Sequence, residues 1–314
     1  MIRLSVHPSR YPDASTARLR GALEARVLPG RFLYDSPAQA GRWLAYHEAY
    51  SPSRTDRDVE ARYDDAFRAS VQHFAGGFRV VGLGCGGGRK DARLLQTATG
   101  RASYAPIDTS PSLVVQSALE ARDAASDLDP RVIDLESSVE GDAFGDPEEP
   151  RLFSAFGMIP NFELDEFGPR LGAWLRPDDF ALISFNLSPG RFDEARDRIL
   201  PQYDNEPGRA WMWGALNELG LFEADARLEV SARPVASSGE VWRIEAWCEL
   251  ERDARCPMPW GTVPFARGDR LRVLISNRLT VEAADHHLLE WGCAPVARWI
   301  SESGEEGVWL VRCG

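Results

Sequence analysis

Between Phe78 and Asn186, short apolar runs alternate with stretches whose apolar positions return every three or four residues. "FRVVGL", "ASYAPID", "RVIDL", "RLFSAF" and "DFALISFN" have the length and apolar content of buried strands. "RKDARLLQTAT", "SPSLVVQSALEARDAA" and "ELDEFGPRLGAWL" carry the helical period among them. Such alternation predicts βαβ units and a parallel sheet covered on both faces. Upstream, "ASTARLRGALEARVL" and "SPAQAGRWLAYHEAY" read as short helices, and a longer helix is predicted over Arg57 to Ala75. There Val59, Tyr63, Ala66, Phe67, Ser70 and Phe74 recur at helical spacing, and Gly76-Gly77 end the run.

The alternation stops near Arg191. From about Pro201 to Thr280 a helix at "AWMWGALNEL" precedes strands such as "ARLEVSARPV" and "EVWRIEAWCEL", with "SSG" and "ARG" turns that predict antiparallel hairpins. The end returns to the first style, with helix "TVEAADHHLLEW", strand "PVARWI", turn "SESGEEG" and strand "VWLVRC". Five alternating strands, then a helix and a terminal hairpin, is the order expected of a Rossmann-like class I methyltransferase sheet. The predicted fold class is therefore α/β with that sheet, plus a second α+β substrate domain. In this reading 57–200 and 281–314 form the cofactor domain, and 1–56 and 201–280 the substrate domain.

Composition narrows the function. At 314 residues the chain is long enough for one large or two smaller domains. A formal net charge of −12 argues against nucleic acid and against anionic lipid, because either needs a basic face. No segment approaches the ~20 apolar residues of a membrane span, and "MIRLSVHPSRYPDAS" has no signal-like apolar run. Cys85, Cys248, Cys256, Cys293 and Cys313 are an odd set without a CxxC pair. That points to a reducing compartment, no disulfide framework and no zinc site. The expectation is a cytoplasmic monomer acting on a small molecule, with no metal.

The chemistry starts at "FRVVGLGCGGGRKDARLL", which packs five glycines into the seven residues Gly82 to Gly88, between strand and helix. Bare backbone at that place brings N–H groups against a ligand at the carboxyl end of a parallel sheet. The next strand ends in "APIDTS", which sets Asp108 24 residues beyond Gly84, near the ~20 expected of an acid that accepts ribose hydroxyls. Together the two features imply a nucleoside. Gly82, Gly84 and Gly87 also satisfy the G-x-G-x-x-G spacing of dinucleotide sites. The terminal hairpin and the lack of a second nucleotide half favour S-adenosylmethionine (SAM), with S-adenosylhomocysteine (SAH) as product. Cys85 is read as a small filler in the loop.

Four segments around the loop, "RFLYDSP", "EAYSPSRTD", "GMIPNFELDEF" and "QYDNEPGRAW", resemble the histidine Nα-methyltransferase family, as do "RIEAW" and "LISNRLT". These are the SAM-dependent enzymes that begin ergothioneine synthesis, and a fungal branch methylates a prenylated tryptophan. The resemblance covers nearly the whole chain; "LYD" and "YSPSRTD" are its most specific part. It implies a methyltransferase domain against a second domain, with the substrate amino acid between them. Carried over by position, Gly84, Cys85 and Gly86 line SAM, Lys90 approaches its carboxylate and Asp108 its ribose. The acid at adenine is Asp134 or Glu136, with Asp142 also near that strand end. Tyr34, Tyr50, Asn161 and Tyr203 surround the amino and carboxylate groups of the substrate, and Tyr34, Asn161 and Tyr203 are the candidate catalytic residues. The chemistry suits the roles: lysine is a point charge, asparagine both donates and accepts, and tyrosine faces favour a methylated ammonium.

Two positions depart from the family. Where it has a glutamate two residues before a serine, "LISN" has Leu274 before Ser276; where it has a methionine, "IEAW" has Ala246. An imidazole buried against Leu274 would leave a polar group unsatisfied at about 1–3 kcal/mol, or ~10- to 100-fold in binding. A larger, more apolar pocket is expected, with Trp211, Trp213 and Trp247 as candidate walls. The sequence thus predicts Nα-methylation of a free amino acid such as tryptophan, tyrosine or a derivative, as far as the betaine. Methylation of histidine or another small amine, SAM binding without transfer, and nicotinamide-dependent redox chemistry are the alternatives.

Overall fold

The structure is a computed structural model that describes residues 2–146, 148–235 and 240–313. The first strands are β1 (Ser5–Val6), β2 (Phe78–Leu83), β3 (Ala102–Asp108), β4 (Arg131–Val132), β5 (Arg151–Ala155) and β6 (Phe180–Asn186). An insertion supplies β7 (Ala226–Pro234), β8 (Val241–Leu250), β9 (Ala254–Met258), β10 (Gly261–Phe265) and β11 (Arg270–Leu279). The chain closes with β12 (Cys293–Ile300) and β13 (Glu306–Cys313). The helices are α1 (Pro12–Glu24), α2 (Pro37–Tyr50), α3 (Pro52–Thr55), α4 (Arg57–Val71), α5 (Arg89–Thr97), α6 (Pro111–Ala121), α7 (Leu164–Trp174), α8 (Phe192–Ile199), α9 (Glu206–Glu218) and α10 (Val281–Glu290).

The main sheet runs β1-β4-β3-β2-β5-β6-β13-β12. Its first six strands are mutually parallel, and β13 is antiparallel to both β6 and β12. This is the class I methyltransferase arrangement. Strands β2, β3 and β5 are almost continuously buried, as apolar runs covered on both faces must be. The order reverses at β2, so the carboxyl ends of β2, β3 and β5 open the crevice where such sheets bind ligands. A separate antiparallel sheet, β11-β8-β7, packs with α1, α8 and α9 around its own apolar cluster.

Two local expectations change. "RVIDL" pairs only at Arg131 and Val132, beside a two-residue edge strand, β1, that the sequence did not suggest. That strand joins the N-terminal segment to the main sheet, across the expected domain boundary. The register of the final hairpin sets Cys293 opposite Cys313, and the pair forms a disulfide, correcting the expectation of none. Cys85, Cys248 and Cys256 are free. The "SSG" turn falls within 236–239, outside the described residues. Among those described, no helix is long and apolar enough to cross a membrane.

The parallel core contains a buried charge pair. Arg151, at the start of β5, donates from Nε to Asp179 Oδ1 at 3.1 Å and from Nη2 to Oδ2; Asp179 also accepts from the Arg176 amide at 2.7 Å. Both side chains are almost fully buried. Removing one partner strands the other charge, so Asp179→Ala is expected to cost about 3–5 kcal/mol of stability, read as a lowered urea midpoint.

Candidate functional site

The glycine loop is built over buried polar groups. Asp91, in the first turn of α5, accepts from Ser154 at 2.6 Å and from Tyr104 at 2.6 Å, and the Tyr104 hydroxyl also meets Ser117 at 2.8 Å. A side chain at Gly88 would lie 2.5 Å from the Ser117 backbone, so α5 and α6 approach only because Gly88 is bare. Gly86 has φ +53°, and a Cβ there would sit 2.7 Å from the Trp43 ring, which α2 lays across the loop. The Gly86 amide donates to Asp108 Oδ2 at 3.1 Å and the Ser110 amide to Oδ1 at 2.9 Å. Burial pushes the Asp108 carboxyl up to about 6, against those hydrogen bonds.

A cavity of about 670 Å³ lies over this loop, between the strand ends, α1, α2 and β11. Gly84, Cys85, Gly86, Lys90, Asp108, Asp134 and Glu136 line one part; Tyr34, Tyr50, Asn161, Tyr203, Leu274 and Ser276 line the rest. Ala246 does not line it: it lies opposite Leu274 in the β8–β11 ladder, fully buried in the apolar cluster. The larger Leu274 reaches the cavity and Ala246 stays beneath the surface. Trp211 lines the cavity, whereas Trp213 and Trp247 do not.

At the cofactor end, Lys90 donates to the Tyr63 hydroxyl at 2.8 Å and to Glu306 at 3.4 Å, which leaves one of its three donors. Burial pulls this ammonium down, with Glu306 acting the other way. The two adenine candidates now differ. Glu136 is bonded to Arg18, while Asp134 Oδ2 is buried and makes no hydrogen bond, with Arg18 Nε 3.5 Å away. The Asp142 side chain lies outside what is described. Burial, then Asp108 and Asp91, push the Cys85 thiol well above its ordinary value, consistent with a filler and not a nucleophile.

The substrate end is aromatic. Tyr34 meets Trp43 edge-on at 5.5 Å and Trp211 at 5.7 Å; Tyr46 stacks on Trp211 at 5.3 Å and on Tyr50 at 5.8 Å. Burial, then Asp108 and Tyr203, hold the Tyr34 hydroxyl well above the tyrosine range, so it stays protonated. The Tyr203 hydroxyl lies 2.8 Å from Ser276 Oγ and accepts from Arg278 at 3.2 Å. Asn161 holds itself by a 3.4 Å bond to the Gly157 carbonyl. Sequence reasoning missed Trp43, Tyr46, His47, Arg54 and Arg278, all on the cavity wall. His47 is pulled down to about 3 by burial, then Lys90 and Arg54, and is therefore neutral. Two of them held a signal, since Arg54 stands inside "EAYSPSRTD" and Arg278 inside "LISNRLT", segments already singled out.

The cationic side chains of the wall other than Arg278 are paired. Lys90 has Glu306, Arg272 has Glu163 at 2.9 Å, and Arg18 has Asp134 and Glu136. Arg31, Arg54, Arg89 and Arg170 likewise have carboxylates at 3.4–3.9 Å.

The bare loop, the buried Asp108 and the orphaned Asp134 oxygen fit a nucleoside ligand, and on this sheet the combination defines a SAM-dependent methyltransferase. The chain belongs to the family described as histidine-specific, SAM-dependent methyltransferases, whose model matches residues 16–313. It is an N-methyltransferase with SAM as its cofactor. No curated protein matches the chain significantly. Similar solved structures include 1,6-didemethyltoxoflavin-N1-methyltransferase of Burkholderia thailandensis, 14% identical over 88% of each chain with a TM-score of 0.43. CcbJ of Streptomyces caelestis is 12% identical over 81% of this chain and 94% of that one, with a TM-score of 0.41. CalS10, an amino pentose methyltransferase of Micromonospora echinaspora, is 14% identical over 82% and 90%, with a TM-score of 0.39.

Two outcomes follow for cofactor binding. Gly86→Ala forces a left-handed backbone and a collision with Trp43, and is expected to weaken SAH at least ~10-fold by calorimetry. The sequence reading makes Asp108 the ribose acceptor, and burial raises its carboxyl to about 6. Protonation removes that acceptor charge, so SAH affinity should be full above pH 7 and fall as pH drops through 6. Asp108→Asn should bind weakly and lose this dependence.

Proposed function

We propose that this methyltransferase acts on the α-amino nitrogen of a free amino acid with an aromatic or apolar side chain. Tryptophan, tyrosine or a derivative is favoured over histidine, with successive transfers ending at the betaine. The observation that carries the reading is Leu274 on the cavity wall at the position where the family has a glutamate, beside the faces of Tyr34, Tyr46, Trp43 and Trp211. An imidazole there would bury an N–H without an acceptor; an indole or phenol ring would meet apolar and π surface.

SAM supplies an electrophilic methyl group on a sulfonium when bound. The chain's part is to present a neutral amine in line with it, at roughly 3–3.5 Å. Desolvation beside buried cations lowers the amine pKa. Tyr34, kept protonated between Asp108 and Tyr203, offers the amine an oxygen acceptor. Tyr50 extends that aromatic side, and Asn161, Tyr203 and Ser276 hold the far end of the substrate while the amine turns between transfers. Gly84, Cys85, Gly86, Lys90, Asp108 and Asp134 hold the cofactor, with Glu136 positioning Arg18. Residues 1–56 and 201–280 act as the substrate unit against 57–200 and 281–314, in a monomer.

The test is mass spectrometry of products after incubation with SAM and, singly, each of the twenty amino acids. One to three added methyl groups on the α-nitrogen of tryptophan or tyrosine are expected. Methylated histidine as the main product, or transfer to carbon or oxygen alone, overturns the reading. Leu274→Glu should shift preference towards histidine by ~10- to 100-fold in kcat/KM.

A further inference from the structure

We propose that Arg278 recognises a carboxylate at the substrate end, so that the site selects an acid and rejects the matching amine. The inference rests on the reading above for the ligand's side chain, but not for its charge. Arg278 is 2% exposed and lines the cavity. The other lysine and arginine side chains on that wall have a carboxylate within 4.0 Å; Arg278, among the described residues, has none. Its Nη1 bonds to the carbonyls of Leu187 at 3.5 Å and Glu305 at 3.3 Å, its Nη2 to the Tyr203 hydroxyl at 3.2 Å, and its Nε to nothing. The nearby Glu305 carboxylate is engaged by Arg198 and by Gln202.

A buried guanidinium surrounded by neutral acceptors has lost its hydration without gaining a counter-charge. An entering carboxylate supplies that charge in the geometry a guanidinium fork favours. Arg278 also occupies a lone pair of the Tyr203 oxygen, which frees the Tyr203 O–H to donate. Leu274, Ser276 and Arg278 stand on one face of β11, with their Cα atoms spanning roughly 13 Å. An aromatic amino acid lying along that face would place its ring at Leu274 and its carboxylate towards Tyr203 and Arg278.

The experiment titrates SAH-saturated wild type, Arg278→Gln and Arg278→Lys with indole-3-propionate and with 3-methylindole by calorimetry. Arg278→Gln should weaken the acid about 10- to 100-fold and leave 3-methylindole unchanged. Arg278→Lys should recover part of the loss. A merely structural arginine would weaken both probes alike. Equal loss for both, no change for the acid, or no binding of the acid to wild type overturns the proposal. If Arg278→Gln does not fold, Arg278→Lys decides: a loss confined to the acid supports the proposal and any other pattern overturns it. Methylation of tryptophan with an unchanged preference over tryptamine in the variant sinks Arg278 alone. A carboxylate effect without methylation of any aromatic amino acid sinks only the substrate reading.

Discussion

The site depends on one buried carboxylate. Asp91 sits under the glycine loop, where it joins α5 to β5 through Ser154 and to β3 through Tyr104. Burial pushes its carboxyl up to about 6, and the two hydroxyl donors act against that shift. Gly82 must be bare because a Cβ would fall 2.7 Å from the Asp91 oxygen. The loop's glycines therefore serve two neighbours at once. Gly82 and Gly88 admit the network below, and Gly86 admits Trp43 and a ligand above. A loop fixed from beneath presents its amides in one arrangement, which is what a nucleoside site needs.

Much of this was readable in the chain because it is local. The strand–glycine–helix order, Asp108 at a strand end and the terminal hairpin are short-range patterns, and the fold follows them closely. What the sequence hid is pairing between distant residues. Trp43 over Gly86 and the disulfide between Cys293 and Cys313 join positions whose meeting is set by helix placement or hairpin register. Strand β1 is two residues long and carries no periodic signal. Ala246 was placed in the pocket because a sequence match cannot say which of two opposed side chains reaches the surface. That Glu136 is bonded to Arg18 while an Asp134 oxygen is left without a hydrogen bond likewise depends on the position of Arg18, more than a hundred residues away and on another element.

The charges of the cavity wall divide it into two regions. At the cofactor end, anions and cations are interleaved: Asp134 and Glu136 with Arg18, Glu306 with Lys90. Such pairs hold a polar ligand in place without imposing a net field. At the other end, the Arg278 guanidinium meets only the Tyr203 hydroxyl and the carbonyls of Leu187 and Glu305. His47 stays neutral and contributes no further charge. An amine entering this region leaves water and meets a cationic environment, both of which favour its unprotonated form. On the proposed reading, a carboxylate of the same molecule would be stabilised there for the opposite reason, and a zwitterion would be discharged at nitrogen and held at oxygen, the state a nucleophilic amine requires.

Strand β11 connects these arguments. Its two faces alternate, as any strand's must. Leu274, Ser276 and Arg278 share one face and line the cavity, which Val273 and Ile275 also reach, while Asn277 is fully buried and lines none of it. Asn277 donates to the carbonyls of Pro160 at 3.1 Å and Phe162 at 2.7 Å, and its oxygen accepts from Arg243 at 3.0 Å. Those two carbonyls flank Asn161. The residue that fixes the Asn161 turn therefore lies between the residues that line the substrate end, on the same strand. Substrate selection can then change at Leu274 without disturbing the anchor, because the side chain that sets the ring environment and the one that holds the loop face opposite ways. That separation gives a physical route by which a family built around histidine could accept a different side chain while keeping its amine chemistry.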